Sequence, residues 1–206
     1  MGHLKLEGRP FVNEYLVTGL SDNLLTLKPA GTDHFLENHT TGVEIKWIHL
    51  PGHAEGTRLH KLLFRNLTPL TAHIQVRIHY NVIDYQCVPF VYFSPHNEAM
   101  MLCHDKSYYL IGGLGPSGGP LQYQTNETDL NKSLKSSPPH TFFQPVSQES
   151  SAWGMMYEIQ LAPYGYAHLY DWEVSHDNLC ALETSHELLR NLLGKKKAAV
   201  KEVLKR

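Results

Sequence analysis

The chain has 206 residues, 42% of them hydrophobic and 18% charged, enough to close one full-sized core without disulfide or metal staples. A net charge of −2 excludes the global basic field of a phosphate-tracking protein, so no nucleic-acid partner is expected. No run approaches the ~18 apolar residues of a membrane span, and the opening MGHLKLEGRPF lacks an apolar signal stretch, so a soluble, cytoplasmic chain is expected.

From about residue 43 to residue 175 the sequence alternates with period two, the pattern of half-buried strands. It is clearest in AHIQVRIHY, where Ala72, Ile74, Val76, Ile78 and Tyr80 share one face and His73, Gln75, Arg77 and His79 the other. Shorter runs of the same kind are VEIKWIHL (43–50), KLLFRN (61–66), VPFVYF (88–93), AMMLCH (99–104), SYYLIG (107–112), WGMMYEIQLA (153–162) and YAHLYDWEV (166–174). TPLT, SPHNE, HDK and APYG between them have turn compositions. Strands this closely spaced, with no helical segments between them, leave no room for parallel crossovers. A mainly β fold follows, an antiparallel two-sheet β-sandwich. Pro89 cannot donate to a ladder, which puts its run at an edge or a bulge. Residues 113–150 are rich in Gly, Pro, Ser and Thr and read as loops, with at most one short strand near LQYQ.

The last segment differs in kind. Residues 179–206 carry net positive charge while 1–178 are net negative, which divides the chain into a sandwich domain (1–178) and a C-terminal basic amphipathic helix or tail (179–206). Leu188, Leu189, Leu192 and Leu193 recur at helical spacing and form a stripe open to a partner or to the sandwich itself. Thr184 followed by Glu187 has the form of a capping box and predicts the helix start, and Gly194 predicts a weak point beyond which the chain frays or begins a second piece.

Three cysteines (Cys87, Cys103, Cys180) at long spacings suit neither a disulfide framework nor a metal knuckle and read as buried, reduced thiols. The sequons at Asn38, Asn66, Asn126 and Asn131 read as ordinary polar loop residues. Gly113, Gly115 and Gly118 match a dinucleotide loop in form, but no helix opens there to point amides at a pyrophosphate, so no cofactor is expected. The 14 histidines form no ligand set: Pro51-Gly52 breaks any helix face between His49 and His53, and His73 and His79 lie about 20 Å apart along a strand, so no metal is expected.

No G-x-S-x-G or catalytic cysteine context is present. Asp171 and Glu173 share a strand face and could serve a two-carboxylate hydrolase if both lined a cleft; acids on a solvent face are the plainer reading. Opposite them Tyr166, His168, Tyr170 and Trp172 form a row that can stack on sugar rings, fill a core or make an interface.

The segments FRNLTPLTAHIQVRIHYNVIDY, AMMLCHDKSYYLIGGL, LQYQTN, QPVSQESSAWGMMYEIQLAPYGYAHLYDWEVSHD and ALETSHELLRNLL resemble, in order and spacing, the N-terminal β-sandwich domain of bacterial and archaeal glucoamylase-type enzymes of glycoside hydrolase family 15. The resemblance covers residues 60–193. It implies a sandwich that leads through a helix into an (α/α)₆ barrel carrying the catalytic glutamates. Arg206 stands where that barrel would begin, so no residue here inherits a catalytic role. The expectation is a non-catalytic accessory sandwich that acts through a catalytic-barrel protein, a second copy of itself or an α-glucan. The opposing expectation is a small enzyme with a hydrolytic site in the cleft beside the 113–150 loops.

Overall fold

The computed structural model describes residues 9–19, 24–27, 34–38, 42–52, 56–84, 87–126 and 143–203. In chain order the strands are β1 (Phe11–Thr18), β2 (Leu24–Leu27), β3 (His34–Asn38), β4 (Val43–Leu50), β5 (Thr57–Asn66), β6 (Ala72–Val82) and β7 (Phe90–Ser94). They continue with β8 (Ala99–His104), β9 (Ser107–Leu114), β10 (Gln122–Gln124), β11 (Phe143–Gln144), β12 (Val146–Ser147), β13 (Ala152–Leu161) and β14 (Tyr166–His176), and the chain then enters helix α1 (Leu179–Val203). Among the described residues these strands form two sheets, β11-β10-β13-β6-β1-β2 and β12-β7-β8-β9-β14-β5-β4-β3. All pairs are antiparallel except the two-residue contact of β10 with β11. The sandwich with a C-terminal helix is thus the architecture observed.

Strand β6 fulfils its alternation: Ile74, Val76, Ile78 and Tyr80 are buried between the sheets. Facing them from the larger sheet are Ile45, Trp47, Leu62, Phe64, Met100, Leu102, Ile111 and Leu169. Phe11 packs edge-on against Tyr80, Tyr109 and Trp153, with centroids 5.4–5.8 Å away, and closes one end of this layer. A second apolar layer lies on the outer face of the larger sheet, where Leu59, Met101, Leu110, Trp172 and Val174 meet Leu182, Leu189 and Leu193 of α1. The larger sheet is therefore covered on both faces along β8, β9 and β14.

Several local expectations change. The helix begins at Leu179, five residues before Thr184. Asn178 supplies the cap, its Oδ1 accepting from the Ala181 amide, while the Thr184 hydroxyl donates back to the Cys180 carbonyl. α1 runs through Gly194 to Val203 without a break. The leucine stripe divides between two faces: Leu182, His186, Leu189 and Leu193, spaced by four, three and four, lie on the sheet, whereas Leu188 and Leu192 are about 100° around the helix and exposed.

Asn66 is buried at the end of β5; its Nδ2 donates to Leu70 O and Ala162 O, and its Oδ1 accepts from Thr68. It is a turn-organising group rather than a loop residue. Cys87 and Cys103 are half-buried and Cys180 is exposed, so the thiols are less enclosed than their type suggests. His53, Asn131 and residues 127–142 lie outside the described residues.

Candidate functional site

Strand β14 organises both faces of the larger sheet. Asp171 and Glu173 point between the sheets and are fully or almost fully buried, which corrects their assignment to a solvent face. The reason is the helix: once α1 covers the outer face, the alternate residues Trp172 and Val174 form the second core, and the acids take the inward positions. The Tyr15 hydroxyl, from the opposite sheet, reaches both Asp171 oxygens at 2.9 and 3.0 Å. His60 Nδ1 stands 3.3 Å from Asp171 Oδ2, and Arg9 forms an ion pair with Glu173.

Burial pushes the Glu173 carboxyl up, the Arg9 guanidinium opposing it. Burial, reinforced by the Asp171 charge, also holds the Tyr15, Tyr80 and Tyr157 hydroxyls well above their ordinary range. Two inward carboxylates, each with a partner, are arranged to join the sheets. Neither lines the cleft described below, so this pair does not form a two-carboxylate hydrolytic site there.

On the outer face the row Tyr166, His168, Tyr170, Trp172 grades from water to core. Tyr166 is 73% exposed, His168 and Tyr170 are half-buried, and Trp172 is 1% exposed beneath α1. The His168 and Tyr170 rings are 6.3 Å apart, and the Lys61 ammonium sits 5.8 Å from the Tyr170 centroid. Burial and the Lys61 charge lower the His168 pKa, which favours the neutral ring, and its buried Nδ1 has no protein partner. This stretch offers flat apolar surface at its exposed end.

A cleft of about 500 Å³ lies beside the loop after β9, lined by Phe93, Glu98, Tyr123, Tyr157, Glu158 and the Gly115–Leu121 segment. Phe93 and Tyr123 stack 3.6 Å apart in its wall. Arg190 of α1 reaches the Glu98 carboxylate at 2.6 Å, and the Gln75 amide donates to Glu158 at 3.4 Å. The glycines of the dinucleotide-like motif serve geometry here. A Cβ on Gly113 would come within 2.2 Å of the Tyr157 hydroxyl, and Gly115 and Gly118 close a tight turn through paired backbone bonds.

In the fold His104 stands with Cys87 and Asp105. Seventeen residues separate Cys87 from His104, so only the pairing of β8 with its neighbours brings the group together.

No family model matches this chain, and no curated protein matches it either. Among solved structures, it is similar to a bacterial glucoamylase in complex with acarbose, with a TM-score of 0.55 and 12% identity, over 87% of this chain and 28% of that one. A polysaccharide lyase aligns with a TM-score of 0.45 and 11% identity, over 81% of this chain and 26% of that one. The antiparallel sandwich is thus a fold shared with a carbohydrate-active enzyme, in which it occupies a minor part of the length.

Proposed function

We propose that the chain is a non-catalytic accessory β-sandwich of a carbohydrate-active system, related to the N-terminal sandwich of glucoamylase-type enzymes of glycoside hydrolase family 15. The supporting observation is the shared fold over 87% of this chain with a bacterial glucoamylase. In this reading residues 1–178 are the sandwich unit, and 179–206 are the helical segment that meets a catalytic barrel or a second copy through Leu188 and Leu192. Tyr166, His168 and Tyr170 contact an α-glucan, the rings stacking on sugar faces. Trp172 supports the row from beneath α1 without touching the glycan. Titration of the full chain with maltoheptaose tests this. Heat of binding is expected, and it should vanish in Tyr166→Ala and Tyr170→Ala variants whose circular dichroism is unchanged.

A second reading, a small hydrolase, rests on Glu98 and Glu158 lining one cleft. Against it, Arg190 already neutralises Glu98 and occupies its Oε2. Glucose release lost in Glu98→Gln or Glu158→Gln would favour this second reading.

A further inference from the structure

At the tip of the larger sheet, three Lewis-base side chains converge from two segments. His104 ends β8, Asp105 opens the two-residue turn into β9 with φ of +52°, and Cys87 arrives from the loop ahead of β7. Their ligand atoms all lie within 4.8 Å of one another, and among the described residues no other group of His, Cys, Asp or Glu meets that geometry. Cys87 Sγ is 3.5 Å from Asp105 Oδ1, and His104 Nδ1 is 3.7 Å from Asp105 Oδ2.

We propose that Cys87, His104 and Asp105 form a three-ligand site for a divalent transition metal, Zn²⁺ foremost, with the fourth tetrahedral position left to water.

The argument begins with the histidine. His104 Nε2 lies 3.2 Å from the Cys87 carbonyl, which can only accept, so Nε2 carries a proton. Nδ1, 3.7 Å from Asp105 Oδ2, is then the ring atom left to bind a cation. A ligating histidine that donates its other N–H to a backbone carbonyl is the usual support for a metal-bound imidazole.

The spacing also fits. Bonds of about 2.3 Å to sulfur and 2.0–2.2 Å to nitrogen and oxygen, at tetrahedral angles, put ligand atoms roughly 3.3–3.6 Å apart. The two separations to Asp105, 3.5 and 3.7 Å, are at or slightly beyond that edge, and all three ligand atoms lie within 4.8 Å of one another. One thiolate, one carboxylate and one neutral imidazole supply two negative charges, which match the ion. The mixed S, N, O set suits Zn²⁺ or Co²⁺ and not Mg²⁺ or Ca²⁺.

Binding requires the thiol proton to leave: Cys87 S–H breaks, sulfur bonds the metal through the electron pair it keeps, and the proton passes to solvent. The Asp105 side chain is 73% exposed, which leaves an entry path and a solvent-facing fourth position. Occupied, the site would clip the loop at residue 87 onto the β8–β9 turn.

The test is titration of the reduced full chain with Co²⁺. One equivalent should give a thiolate-to-cobalt charge-transfer band that Zn²⁺ displaces and Mg²⁺ does not. Cys87→Ser should remove the band, His104→Ala and Asp105→Ala should weaken binding by about tenfold or more, and Cys103→Ser and Cys180→Ser should leave it intact. In the unmutated chain Zn²⁺ should slow alkylation of Cys87 and not of Cys180. Absence of the band, its survival in Cys87→Ser, or an alkylation rate at Cys87 indifferent to Zn²⁺ would overturn the proposal.

Discussion

The Trp172 indole N–H donates to His186 Nδ1 at 3.0 Å, joining the centre of β14 to α1 inside the second core. His186 Nε2 lies 2.8 Å from the Asn97 carbonyl and donates to it, so the ring is neutral with its tautomer fixed on both sides. Gly112 permits the approach, since a Cβ there would lie 2.8 Å from the indole nitrogen.

This contact makes helix docking acid-sensitive. Burial lowers the His186 pKa below its ordinary 6.5, so as pH falls through 6.5 the unfolded chain takes up a proton that the folded chain refuses. His186 therefore subtracts stability below 6.5, by at most about 1.4 kcal/mol per pH unit, until its folded pKa is reached. Glu173 acts with the opposite sign, because its raised pKa lets the folded chain bind a proton first. Denaturant unfolding between pH 7 and pH 5 should show a smaller loss in His186→Gln, which offers the same acceptor and donor without titrating. Parallel curves for the two proteins would refute the His186 contribution.

The two faces of α1 should respond differently. Leu189→Ala and Leu193→Ala, each opening a cavity against the sheet, should each cost about 2–5 kcal/mol. Leu188→Ser and Leu192→Ser should stay within about 0.5 kcal/mol of the parent, and they should abolish association with the partner if that face docks. Equilibrium unfolding paired with sedimentation measures both effects. Equal stability losses on the two faces would contradict the packing described.

Between the sheets, Tyr15→Phe removes the donor that reaches both Asp171 oxygens and should cost about 1.5–3 kcal/mol. Tyr80→Phe is the contrasting case. Its buried hydroxyl has no protein partner, so deleting that oxygen should be neutral or stabilising by up to about 2 kcal/mol. Urea midpoints of the two variants should therefore move in different directions or by clearly different amounts.

The sequence pattern was legible where one face of a strand meets a single core, as in β6. It failed at β1, where Tyr15, Leu16 and Val17 are all buried and the period of two is blurred. In β14 the alternation separated the acids from the rings correctly, but with α1 over the outer face both sets are enclosed, and residue polarity no longer told inside from outside. The helix was visible and its first turn was not, because Asn178 and Thr184 are both capping residue types and only Asn178 has its side chain on a free amide. The Cys87, His104 and Asp105 group has no sequence spacing to read; two chain segments must meet first.

The claim that this sandwich contacts glycan without cleaving it is tested most directly by electrophoresis of the native chain through a gel containing soluble starch, stained afterwards with iodine. Retardation that is lost in Tyr166→Ala and Tyr170→Ala, over an unbroken iodine background, is the predicted result. A cleared zone that follows the protein and disappears in Glu98→Gln or Glu158→Gln, or migration indifferent to starch, would contradict it.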